Sequence, residues 1–155
     1  MTIDLRDELR QQKAFSSLHQ EAFLNLTRTE NLLRDGLDSV LGPRGLSLTQ
    51  YNVLRMLRGA GPDGLCRNEI RDRLISRMPD VSRLLDRMEA SGLIDRKRST
   101  TDRRLVNTTL TRTGSELVDS LDDEVARLHD HQLGHLTEAQ LRTLIQLLSK
   151  AREKS

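Results

Sequence analysis

A mainly α-helical domain carrying one small β-hairpin is what this sequence predicts, and three observations predict it. Strand-favouring aromatics are almost absent: Phe15, Phe23 and Tyr51 are the whole set, while Leu, Arg, Glu and Asp abound, a balance that favours helices. Apolar residues recur at three- and four-residue steps through most of the chain, the period of a helix with one buried face. Only two runs, residues 93–98 and 105–110, have the length and alternation of strands. At 155 residues the chain suffices for one well-packed domain and is too short for two ordinary ones.

The elements follow in order. Phe15, Leu18, Ala22, Leu26, Leu33, Leu37 and Val40 form one long apolar stripe that closes at Gly42-Pro43. Such a helix extends about 40 Å, longer than a small domain needs internally, so something outside the domain is expected to cover part of it. A second helix starts at Ser47 or Thr49, either able to cap its first turn, and runs through Tyr51, Val53, Leu54 and Leu57 to the breaker GAGPDG at 59–64. A short helix from Arg67 to Leu74 turns Ile70 and Leu74 inward. Pro79 suits the first turn of the next helix, whose stripe is Val81, Leu84, Leu85 and Met88 and whose stop is a left-handed Gly92. Its opposite face carries Asp80, Ser82, Arg83, Asp86 and Arg87.

Beyond the strand pair, Thr111 is placed to cap a helix with the stripe Val118, Leu121, Val125 and Leu128. The capping box Thr137 to Gln140 opens a last helix bearing Leu141, Leu144, Leu148 and Ala151.

Net charge is only +2, but its distribution is uneven. Residues 67–104 hold 11 Lys/Arg against 7 Asp/Glu, and the remainder 14 against 16, which points to a local anionic partner. Two short helices, the second with a polar outer face, followed by a hairpin with a basic tip outline a winged helix-turn-helix. A helix is about as wide as the DNA major groove, so residues 79–90 can reach base edges while the hairpin lies over the backbone or minor groove. Arginine suits both places because its planar fork grips guanine or phosphate at two points.

The stretch LCRNEIRDRLISRMPDVSRLLDRMEASGLIDRKRSTTDRRLVNTTLTRTG, residues 65–114, resembles the winged helix-turn-helix of MarR-type bacterial transcription regulators; its GLIDR, DRR and LTRTG segments stand in the family's order and spacing. The resemblance implies roles for particular residues. Ser82, Arg83 and Arg87 fall on the recognition face, with Arg77 in the preceding turn. Arg96, Lys97 and Arg98 lead up the wing. Asp102 braces the wing, Arg104 enters the minor groove, and Arg103 is an added charge on phosphate. The chain departs from the family's usual Ser or Thr at Cys66 and at Pro79-Asp80. Asp80 beside phosphates is unfavourable unless it accepts from a cytosine amino group or caps its own helix.

The resemblance further implies a homodimer on an inverted repeat, with residues 1–46 and 113–155 dimerising and 47–112 binding double-stranded DNA. It also implies an effector pocket between the dimer helices and the DNA-binding lobes, for a small molecule the sequence does not identify. The output would be regulation of a promoter, most simply repression.

A competing reading is a non-enzymatic helical interaction module whose basic wing binds an acidic protein partner. Cys66 admits a peroxide-sensing reading, but no second cysteine is present to resolve an oxidised thiol, and a small cap-like role is preferred. His129, His131 and His135 invite a metal reading, yet histidine is also favoured near a helix C-terminus and no Cys or paired Glu completes a site nearby; no metal or other cofactor is expected. No nucleophile with a base at motif spacing and no phosphate-cradling glycine loop is present, so catalysis is not expected. The opening MTIDLRDELRQQK lacks a basic start and an apolar run, and the lone cysteine fits a reducing compartment. A cytoplasmic protein without a membrane partner is therefore expected.

Overall fold

A computed structural model describes residues 4–153; Met1–Ile3 and Lys154–Ser155, at the outer limits of the two expected dimerisation regions, lie outside the described residues. Four residues form a first short helix, α1 (Leu5–Glu8), which the periodicity did not reveal. The long helix follows as α2 (Leu18–Leu41), then α3 (Leu48–Ala60), the two-residue strand β1 (Leu65–Cys66), α4 (Arg67–Arg73), α5 (Val81–Ala90), β2 (Ile94–Arg98), β3 (Val106–Leu110), α6 (Arg112–Leu133) and α7 (Glu138–Arg152).

Helix ends sit where polar side chains can satisfy the free N–H groups of a first turn. Ser17 caps α2, leaving Phe15 outside the helix. Ser47 rather than Thr49 caps α3, in a reciprocal box with Gln50. Thr111 and the Thr137–Gln140 box open α6 and α7. Pro79 does not enter the first turn of α5; it precedes the cap, because the Asp80 carboxylate accepts the Arg83 N–H at 2.9 Å. Gly92 takes φ 72° just beyond α5, the left-handed turn that a Cβ disfavours.

The sheet has three antiparallel strands in the order β1-β3-β2, one more than the hairpin read from sequence. Leu65 opposes Thr108 and Cys66 opposes Asn107, while Ile94 opposes Leu110 and Arg98 opposes Val106. A two-residue strand has no period to detect; it exists because β3 offers it an edge.

The core joins α3, α4, α5, the sheet and the first half of α6: Leu54, Leu57, Ile70, Leu85, Met88, Ile94 and Leu121 are fully buried. Each such side chain contributes roughly 1.5–3 kcal/mol of apolar transfer energy. Two polar fastenings fix α6 to this lobe. Arg58 of α3 donates to Asp119 at 2.7 Å and to both oxygens of Asp122 at 2.8 and 2.9 Å. Thr111 sends its hydroxyl to the Gly92 carbonyl at 2.6 Å and its N–H to that of Leu93 at 3.2 Å.

The long helices leave much apolar surface uncovered. Of α2 only Leu41 is buried, and α7 buries none of its residues. Leu18, Phe23, Leu26 and Leu32 on α2, with Leu144, Ile145 and Leu147 on α7, are all exposed. No helix among the described residues is long and apolar enough to cross a membrane.

Candidate nucleic-acid interface

Helix α5 is positioned from behind. Val81, Leu84, Leu85 and Met88 are buried, so the helical period forces Arg83, Asp86 and Arg87 outward. All three are exposed, whereas Ser82 lies half-buried at the shoulder of the helix. There it accepts a hydrogen bond from Arg67 Nη1 at 3.2 Å. Arg67, the first residue of α4, was not singled out from sequence. The available signal was its place in the basic stretch at the start of the first of the two short helices.

The wing tip is organised by its own polar groups. Ser99 N–H donates to the Leu105 carbonyl at 2.8 Å, and Leu105 N–H to that of Asp102 at 3.0 Å. The Asp102 carboxylate accepts the Arg104 backbone N–H at 3.0 Å, and Ser99 Oγ receives the N–H groups of Thr101 and Asp102. These bonds replace a disordered turn with a shaped one and leave Arg103 and Arg104 exposed. At the base of the wing, Asn107 donates to the Asp63 carbonyl at 2.9 Å.

The ten residues singled out from sequence lie on α5, in the turn before it, and on the hairpin beside it, but they are not equivalent. Among the described residues, Arg77, Arg87, Lys97, Arg98, Arg103 and Arg104 have no carboxylate within ion-pair distance, and all six are exposed. Arg83 has only a long contact to Asp80, 3.8 Å, with its side chain 77% exposed. Arg96 differs. Its Nη2 donates to Asp86 at 2.7 Å and to Glu89 at 2.6 Å, and its Nε to Glu89 at 3.0 Å. These bonds hold the Glu89 carboxyl below, and the Arg96 guanidinium above, their ordinary ranges. Asp86 and Glu89 as partners of a wing arginine could have been suspected from their i, i+3 spacing.

Between the wing and α4 lies a cleft of about 360 Å³ whose walls include Cys66, Arg67, Leu85, Arg96, Arg104 and Val106. The Cys66 backbone N–H donates to Glu69 at 2.8 Å, which lowers that carboxyl's pKa. The thiol thus stands at the cap position of α4, within a box closed by Glu69. His129, His131 and His135 are exposed, and no group of three potential metal ligands converges among the described residues.

A short helix, a second helix presenting exposed cations, and a cation-tipped β-ribbon alongside make this a winged helix-turn-helix protein. The sequence profile of the MarR family matches residues 44–105. A crystal structure of a MarR transcription factor from Planctomyces limnophilus is 40% identical, covering 88% of this chain and 98% of its own, with a TM-score of 0.67. The chain belongs to the MarR family: it is a DNA-binding transcriptional regulator and not an enzyme.

The HTH-type transcriptional regulator MhqR of Bacillus subtilis is 25% identical over 128 residues, 83% of this chain and 87% of its own length. A MarR variant from Escherichia coli, solved as a complex with operator DNA, matches in fold with a TM-score of 0.75 at 23% identity, covering 97% of this chain and 99% of that one.

Proposed function

We propose that this regulator acts as a homodimer that places one α5 in each of two successive major grooves of an inverted-repeat operator, and that it represses by occupying a promoter. One observation carries the reading: the cations left without carboxylate partners among the described residues include six exposed ones carried by α5, its preceding turn and the adjoining wing. An isolated charge cluster on a folded surface usually recruits its own counter-charges. Cations held apart from carboxylates are free to release counterions on meeting phosphates, which is the main source of duplex affinity.

In this reading Ser82, Arg83 and Arg87 read bases, with Arg77 at the backbone nearby. Lys97, Arg98 and Arg103 hold phosphates, and Arg104 enters the minor groove on a turn shaped by Asp102. Asp80 spends its carboxylate on the α5 cap, which offsets its cost beside DNA.

The dimer reading is supported by the uncovered apolar faces of α2 and α7, each too large a share of its helix to be left in water by a stable monomer. Residues 1–46 and 113–155 would then dimerise around the DNA-binding residues 47–112, and the protein would work in the cytoplasm. A small-molecule effector lodged between the dimer helices and the DNA-binding lobes would release DNA by changing the spacing of the two α5 helices.

Selection of bound fragments from random duplexes, repeated at raised salt, tests this. The expected result is an inverted repeat that persists at the higher salt. Binding without sequence preference that disappears with salt would instead favour a basic surface made for an acidic protein partner.

A further inference from the structure

Resting on the DNA-binding reading above, we infer that Arg96 is a positioning residue and not a DNA contact: it clamps the wing to α5, so that the wing's free cations meet the duplex at a fixed offset from the recognition helix.

The register explains why this arginine and not its neighbours is chosen. Residues two apart on a strand share a face, so Ile94, Arg96 and Arg98 point to one side of β2. Ile94 is buried beneath α5. One step along, Arg96 lies opposite Thr108, itself buried, at the height where Asp86 and Glu89 leave α5. One step further, Arg98 is exposed with no carboxylate near it among the described residues. Lys97 points to the opposite face.

The clamp consumes the part of the side chain that recognition would need. A guanidinium grips guanine or phosphate through two parallel N–H donors. In Arg96 the Nε–H and both Nη2 hydrogens are taken by Glu89 and Asp86, and only 26% of the side chain is exposed. Turning that edge toward DNA would abandon two carboxylates on the helix face nearest the phosphates. Asp86 is 62% and Glu89 39% exposed, so each would then repel the backbone. Arg96 therefore fastens two elements and masks two misplaced negative charges at once.

The test compares wild type, Arg96→Ala, Arg96→Met, Arg96→Lys, Arg104→Ala and the Arg96→Ala/Arg104→Ala double variant. Each is titrated with the duplex recovered by the selection above, over a range of salt. Amide hydrogen exchange of the wing is measured separately without DNA. Arg96→Met keeps the aliphatic stem and guards against simple loss of packing.

Arg96→Ala and Arg96→Met should weaken binding on the order of tenfold, because the wing's cations then no longer meet the duplex at a fixed offset from α5. Arg96→Lys should not restore binding, since a point charge cannot span both carboxylates. Arg104→Ala should cost much less in the Arg96→Ala background than in wild type, the signature of coupled sites. The Ser99 and Leu105 amides should exchange faster without Arg96.

Additivity with Arg104→Ala or full rescue by lysine would overturn the inference, as would unchanged wing exchange. A wild type with no duplex preference would sink the functional reading and the DNA half of this one. The exchange comparison, made without DNA, would still decide whether the clamp exists.

Discussion

Gly114, third residue of α6, is buried, and replacing it with alanine sets two effects of opposite sign against each other. Helix propensity alone favours alanine by up to about 1 kcal/mol. A Cβ on Gly114, however, would lie closer than any real Cβ does to the Leu93 carbonyl oxygen, 3.0 Å from its carbon and 3.3 Å from Leu110 Cδ2. The Leu93 carbonyl cannot yield freely, because it accepts the Thr111 N–H that anchors the start of α6 and Leu93 is itself buried. Backbone shifts of this kind in a packed interior cost about 1–3 kcal/mol. Set against the middle of that range, the propensity gain leaves a net destabilisation of about 1–2 kcal/mol, or a Tm lowered by roughly 2–8 °C for a chain of this size.

Gly59, inside α3, is the matched control. A Cβ there meets nothing within 4 Å, so Gly59→Ala should stabilise by roughly 0.5–1 kcal/mol. Both variants should be compared with wild type by calorimetry and urea unfolding at one fixed protein concentration, since oligomer stability depends on concentration. If Gly114→Ala proves as stable as wild type while Gly59→Ala gains as expected, the close approach of α6 to the wing base does not constrain this fold and the argument fails.

Arg103→Ala should weaken duplex binding to all sequences alike and reduce the salt slope by about one, read by fluorescence anisotropy across a salt series. Phe23→Glu combined with Ile145→Glu, which puts charge on the uncovered faces of α2 and α7, should yield a monomer in sedimentation velocity with a folded α-helical spectrum. Asp122, held below its ordinary value of 3.8 by the Arg58 hydrogen bonds, contributes stability that is present above that pH and lost as pH falls through its lower folded-state value. Asp122→Asn should therefore flatten the stability profile below about pH 4 while costing no more than about 1 kcal/mol at neutral pH, because the pair is solvent-screened; acid titration followed by circular dichroism reads both.

Much of this molecule is legible along the chain because its signals are local. A cap needs its acceptor within three residues, and Ser47, Thr111 and Thr137 all supply one; a buried helix face needs its apolar residues three and four apart, as Val81, Leu84, Leu85 and Met88 are. The Asp80 carboxylate accepts the Arg83 N–H and so takes the cap position, which displaces Pro79 from the helix turn the sequence assigns it. The basic character of the wing was legible for the same reason, since five cations in nine residues need no partner to be counted.

What only the tertiary structure decided are the relations between distant residues. Two residues at 65–66 become a strand because β3, about 40 residues further along the chain, presents unpaired backbone groups to them in the register Leu65 to Thr108 and Cys66 to Asn107. Arg96 and Arg98 carry the same charge on the same strand face, yet one meets two carboxylates of α5 and the other meets none. A sequence states which charges exist; whether a charge is spent inside the protein or left for a partner depends on what the fold brings within about 4 Å of it, and no local pattern encodes that distance.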